Sequence, residues 1–146
     1  PLGTPTNLFP LILQVAVGRI QKLKIFGNNW ETKDGTGMRD YIHVVDVAEA
    51  HLIALKFLQK NRPQLINFNL GTAKGTSVLE LINIFYEVTN IKIPYEFTDR
   101  RQGDNSTLVA NNSKAFLELN WRPKRTLSEM CLDGWKWQSS NPKGYL

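Results

Sequence analysis

Tyr41-Ile42-His43-Val44-Val45 is an apolar, β-branched run, and Asp46-Val47-Ala48-Glu49 follows it directly. The first segment reads as strand-like. The second reads as a helix start, because Asp46 and Glu49 stand three residues apart in capping-box spacing. The helix is expected over about 47–60, with Val47, Ala48, Leu52, Leu55 and Leu58 on one face. A strand leading into an amphipathic helix points to α/β construction, and the same alternation recurs on both sides.

Toward the start, Asn7-Leu8-Phe9-Pro10 opens a helix that Asn7 is placed to cap, with Pro10 tolerated in its first turn and Gly18 stopping it. Leu23–Phe26 is a short strand ending at Gly27-Asn28-Asn29, and residues 27–37, rich in Asn and Gly, form a long turn or hairpin loop. Toward the end, Leu65–Leu70 is expected as a strand, Ser77-x-x-Glu80 caps a helix to about Asn90, and Ile93–Phe97 is a further strand candidate. A short helix near Ser113–Leu119 follows, and Thr126-x-x-Glu129 caps a last one to about Ser139.

The chain has 146 residues, 42% hydrophobic and 21% charged, which is ordinary globular composition for one domain and excludes a disordered chain. Seven Phe, four Trp and four Tyr supply a core. No apolar run approaches the roughly 20 residues of a membrane span. Pro1-Leu2-Gly3-Thr4-Pro5 has no basic region leading into an apolar stretch, so it does not read as a signal peptide. With no Met at position 1 and a start that reads as mid-loop, the chain is expected to be a piece of a longer protein. Cys131 is the single cysteine, which excludes an internal disulfide and suggests a reducing, cytoplasmic setting. The net charge of +5 favours an anionic ligand without choosing one. No basic-aromatic stripe marks a nucleic-acid surface.

Common catalytic signatures are missing. No G-x-G-x-x-G or P-loop follows an early strand, no Ser pairs with a suitable His, and none of Tyr41, Tyr86, Tyr95 and Tyr145 has a Lys four residues on. His43, His51 and Cys131 lack metal-ligand spacing and read as structural. Trp121, Trp135 and Trp137 read as packing, Ser77 and Thr126 as caps, and Asn29-Trp30-Glu31 as a turn without assigned function.

Three stretches taken together carry a resemblance: Phe26-Gly27-Asn28-Asn29-Trp30-Glu31-Thr32-Lys33-Asp34-Gly35-Thr36-Gly37-Met38-Arg39-Asp40-Tyr41-Ile42-His43-Val44, Arg100-Arg101-Gln102-Gly103-Asp104, and Trp137-Gln138-Ser139-Ser140-Asn141-Pro142-Lys143-Gly144-Tyr145. In order, and over essentially the whole chain, the sequence resembles the C-terminal half of the UDP-glucose 4-epimerases, which are extended short-chain dehydrogenase/reductases. The resemblance implies an α/β fold, the substrate-binding C-terminal portion of a Rossmann-type enzyme. Residues 1–146 would form one UDP-sugar-binding domain, lacking the N-terminal domain that carries the Gly-rich turn for NAD and the catalytic Tyr-x-x-x-Lys. It also implies interconversion of UDP-galactose and UDP-glucose through a 4-keto sugar, with no catalytic residue in this chain and a homodimer as the family's habit.

The resemblance further implies site roles. Arg39 and Arg101 match the diphosphate clamps, a role that suits planar guanidinium forks. Arg100, their neighbour, reads as a solvated surface residue. Asp104 matches the acceptor for a ribose diol, with a backbone-bonded turn Asp as the alternative. Lys24-Ile25-Phe26 matches the strand whose backbone pairs with uracil, and a plain edge strand remains open. Asn7 matches an Asn that reaches the diphosphate, a role compatible with capping because helix N-termini attract anions. Leu108 stands where many epimerases have a Tyr, or a smaller residue, near the hexose C2. Rival readings are an epimerase of UDP-N-acetylhexosamine or UDP-pentose, and a nucleotide-binding module without chemistry.

Overall fold

The computed structural model describes residues 5–61, 65–142 and 144. Pro1–Thr4, and Lys143 and Tyr145 of the closing motif, lie outside the described residues. The elements run α1 (Leu8–Ala16), β1 (Leu23–Phe26), β2 (Met38–Arg39), α2 (Val44–Lys60), β3 (Thr76–Ser77), α3 (Val78–Thr89), β4 (Tyr95–Thr98), β5 (Thr107–Leu108), α4 (Ser113–Leu119) and α5 (Leu127–Ser140). β1 and β4 pair in parallel, Leu23 opposite Tyr95 through Phe26 opposite Thr98. A second sheet has order β3-β2-β5, antiparallel between β2 and β3 and parallel between β2 and β5.

The larger core lies between the first sheet and α1, α3 and α5, where Ile12, Leu23, Ile25, Leu81, Phe85 and Cys131 are buried. Phe9 and Trp135 meet the Phe85 ring edge-on at 6.5 and 6.3 Å. α3 and α5 begin where expected, each with a complete capping box at Ser77/Glu80 and Thr126/Glu129. α1 begins after Asn7, but the Asn7 side chain makes no cap hydrogen bond. Residues 27–37 are not a hairpin, since β1 and β2 belong to different sheets.

α2 departs most from expectation. It starts at Val44, with His43 as N-cap and its Nδ1 accepting the Val45 N–H at 3.1 Å. Asp46 is therefore inside the first turn and buried, where its carboxylate accepts from the backbone N–H groups of Lys124 and Arg125 and from the Arg125 guanidinium at 2.6 Å. Glu49 accepts from Lys124 Nζ and Arg125, and the Trp121 indole donates to the Asp46 carbonyl at 3.1 Å. The buried face is also different. Ala50, Ile53, Ala54 and Phe57 pack with α4, Phe68 and Leu70, whereas Leu52, Leu55 and Leu58 are exposed. The helix is apolar on two sides, so periodicity alone selected the bulkier stripe.

Leu65–Leu70 is extended, with Ile66, Phe68 and Leu70 turned inward relative to their neighbours, yet it joins no ladder among the described residues. Alternation of burial makes a strand only where another strand supplies hydrogen bonds. No described helix is long and apolar enough to cross a membrane.

Candidate functional site

One cavity of about 560 Å³ gathers Asn7 and the first turn of α1, Phe26 at the end of β1, Arg39 of β2, and Arg101 and Asp104 from the β4–β5 connection. Residues separated by up to about a hundred positions meet because β2 lies beside β5 and β1 beside β4. The first residues of helix α1, Leu8 to Leu11, line the same cavity, and the N-terminus of a helix favours a negative charge nearby. Asn7, free of a capping bond, lines the same wall.

Arg39 reaches across to the β4–β5 connection. Its Nη1 donates to the carbonyls of Met38 at 2.7 Å and Asn105 at 3.0 Å, and its Nη2 lies 3.8 Å from Asp104 Oδ1. Arg101 stacks its guanidinium 3.7 Å over the Phe26 ring. The turn between Arg101 and Asp104 closes with the Asp104 N–H on the Arg101 carbonyl at 3.2 Å, and Gly103 takes a φ of +85°. Two guanidinium groups and one carboxylate therefore edge a single opening.

The base of β2 is braced by Asp40. Its carboxylate accepts from Thr72 N–H at 2.8 Å, Thr72 Oγ1 at 2.6 Å, Ala73 N–H at 3.0 Å and Ala110 N–H at 3.3 Å. Gly71 is needed here, since a Cβ would come within 2.5 Å of Asp40 Oδ2. Asp34 similarly binds Thr36 N–H and Oγ1 and the Ser77 hydroxyl, fixing the loop before β2 to the start of α3. Its burial alone would push the carboxyl up, but these donors together hold it below the ordinary value. Tyr41, beside Arg39 in the cavity wall, is pushed up to about 12 by burial and stays a neutral phenol.

Of the strand candidates, Phe26 alone lines the cavity; Ile25 is buried in the core and the Lys24 side chain is exposed. Leu108 lines a neighbouring shallow groove with Phe68, Asn69 and Leu70. Trp30 and Tyr41, which lie within the first of the three stretches but were given no binding role, also line the cavity, as does Asn105. Arg100 is not free in solvent. Its guanidinium stacks 4.0 Å over Trp30, its Nε donates to Asn29 Oδ1 at 2.8 Å, and its Nη2 bonds the Asn29 carbonyl. Burial pushes the Cys131 thiol up to about 12, an inert core group. No group of three His, Cys, Asp or Glu able to hold a metal occurs among the described residues.

Comparison with known proteins agrees with this geometry. The chain is 52% identical to the UDP-glucose 4-epimerase of Bacillus subtilis over 99% of its own length and 42% of that protein. UDP-glucose 4-epimerase 4 of Oryza sativa is also 52% identical, over 99% of this chain and 39% of the relative. The chain thus spans about two fifths of the length of these relatives. Among solved structures, the UDP-glucose 4-epimerase of Stenotrophomonas maltophila, with NAD and formylated UDP-arabinopyranose bound, matches with a TM-score of 0.93 at 48% identity, over 98% of this chain and 42% of that one. The Bifidobacterium longum enzyme, in complex with NAD+ and UDP, gives 0.93 at 39% identity, over 99% and 43%. The expected α/β fold, that of the C-terminal portion of extended short-chain dehydrogenase/reductases, is therefore present. The family model for GDP-mannose 4,6 dehydratase matches residues 3–133, and the chain belongs to that family.

Proposed function

We propose that this chain is the UDP-sugar-holding part of a UDP-glucose 4-epimerase, an isomerase that interconverts UDP-galactose and UDP-glucose. The observation that carries this reading is the convergence of Arg39, Arg101, Asp104 and Asn7 on one cavity at the start of α1. A diphosphate between the two guanidinium groups would take charge-assisted bonds from both and lie against the helix N-terminus. Once a phosphate replaces Asp104 as the partner of Arg39, the Asp104 carboxylate is released to accept hydroxyl protons from the ribose.

The base would lie along β1. The N–H groups of Leu23 and Gly27 point to β4, donating to the carbonyls of Pro94 and Thr98 at 2.8 Å each. By the two-residue alternation of a strand, the backbone groups of Lys24 and Phe26 point the other way, along an edge no described strand occupies. Ile25 then serves as the core anchor between them. UDP takes no part in the bond changes at the hexose, so gripping it lets the sugar turn while remaining bound.

The residues present do not fit a dinucleotide cofactor. β1 runs into the Gly27 turn and a loop to residue 37, rather than into a helix N-terminus, so no phosphate-binding βα turn forms. An NAD site and the catalytic Tyr and Lys are accordingly expected in the length that the relatives have beyond this chain. The contribution of these residues is binding and orientation. Calorimetric titration of the full-length protein with UDP tests the reading, and Arg39→Ala and Arg101→Ala should each weaken it.

A further inference from the structure

The segment that carries Arg101 and Asp104 has no hold on the core. Residues 99–105, between β4 and β5, are all exposed, so burial does not fix them. Among the described residues, their hydrogen-bond, ion-pair and ring contacts with the rest of the chain come from three places. Arg39 donates to the Asn105 carbonyl and faces Asp104. Arg101 stacks on Phe26. Arg100 reaches back to the loop after β1. The first two involve residues that line the cavity, and a diphosphate there would draw both arginines to itself. Arg100 and Asn29 do not line it. The Arg100 contact is the one that such a ligand leaves intact.

That contact stands on a fixed base. The Arg100 guanidinium lies 4.0 Å over the Trp30 ring, its Nε donates to Asn29 Oδ1 at 2.8 Å, and its Nη2 donates to the Asn29 carbonyl. Trp30 is itself tied twice, by its indole N–H to the Phe26 carbonyl at 3.0 Å and by its backbone N–H to the Gly35 carbonyl at 2.9 Å. Gly27 leaves room for the stack: it has a φ of +82°, and a Cβ there would come within 2.5 Å of Trp30 Nε1 and 2.8 Å of Arg100 Cγ. A planar guanidinium meets the ring face, the side-chain oxygen and the carbonyl together, which a compact ammonium does not.

We infer that Arg100 is a positioning residue for the diphosphate site: it pins the turn from Arg101 to Asp104 onto the loop after β1, so that those two side chains can change partners while the turn stays in place. The inference rests on the UDP reading above. Holding a loop in its binding arrangement raises affinity by removing the cost of ordering it on binding. The test is calorimetric titration of the full-length protein with UDP, with a thermal melt of each unliganded variant. Arg100→Lys keeps the positive charge and removes the planar fork. It should raise the Kd for UDP about two- to tenfold, the cost of ordering one loose side chain, and leave the melting midpoint unchanged. Asn29→Ala removes one acceptor of Arg100 from the other side and should weaken UDP binding by a smaller factor. A wild-type Kd in Arg100→Lys overturns the inference, since charge alone would then account for Arg100. A Kd that rises only together with a fall in the midpoint marks a general loosening of the fold and overturns it too. If Arg100→Lys does not fold, a wild-type Kd in Asn29→Ala overturns it. In each of these cases Arg39→Ala and Arg101→Ala would still weaken UDP binding. Unchanged UDP binding in those two variants would instead overturn the UDP reading, and this inference with it.

Discussion

Arg39 and Leu108 are register partners across the parallel strands β2 and β5. Adjacent strands lie about 4.8 Å apart, so in the proposed complex a sugar attached to a phosphate on Arg39 would come near Leu108. Leu108 is half exposed beside Phe68 and Leu70, in a groove that shares no lining residue with the main cavity.

A Tyr at this position would narrow the space available to a substituent on the hexose C2. In the full-length enzyme, Leu108→Tyr should suppress turnover of UDP-N-acetylglucosamine by roughly ten- to a hundredfold, the range of one steric contact of ~1–3 kcal/mol. Turnover of UDP-glucose and UDP-galactose should change little. Steady-state kinetics with each substrate on both proteins checks this. If neither rate moves, Leu108 does not border the hexose.

The Asp46–Arg125 pair should make stability fall in acid. Burial pushes the Asp46 carboxyl up, but the Arg125 backbone N–H and guanidinium and the Lys124 N–H outweigh it and hold the carboxyl below its ordinary value. For Glu49, hydrogen bonds from Lys124 and Arg125 do the same. A carboxyl lowered in the folded state stabilises it above the ordinary carboxylate range, and that contribution is lost as the pH drops through the folded-state value. Asp46→Asn should cost ~1.5–3 kcal/mol near neutrality, the worth of charged hydrogen bonds. It should also flatten the acid side of the stability curve. Thermal melts of both proteins between about pH 3 and 7 measure the effect; parallel curves would show that Asp46 carries none of it.

Where bonding is local, the sequence was a good guide. Ser77-x-x-Glu80 and Thr126-x-x-Glu129 cap α3 and α5 because both partners of each box lie within one turn. Asp46-x-x-Glu49 has the same spacing, but its carboxylates are bound by Arg125, 79 residues away from Asp46, and the cap passes to His43. β2, β3 and β5 are two residues each, too short to show a period. The site divides the same way. Arg39, Arg101 and Asp104, named from their motifs, line one cavity, whereas Asp40 and Trp30 are placed in its wall by bonds with Thr72, Ala110 and Phe26 that only the folded chain brings together.

The 146-residue chain by itself should not interconvert UDP-galactose and UDP-glucose, since none of its Tyr residues has a Lys four positions on and β1 leads into no helix N-terminus among the described residues. A coupled assay on the purified chain should give the buffer rate. Turnover rising with protein concentration would show that a catalytic group has been overlooked within it.

If Arg39 and Arg101 hold a diphosphate between them, the affinity of the full-length protein for UDP depends on both. Loss of a charge-assisted bond of ~1.5–3 kcal/mol corresponds to roughly ten- to a hundredfold in affinity. Arg39→Ala and Arg101→Ala should therefore each raise the Kd for UDP by that factor in calorimetric titration, while Lys22→Ala, at an exposed ion pair with Glu96 outside the cavity, leaves it unchanged. A Kd that stays at the wild-type value in both arginine variants would contradict the account.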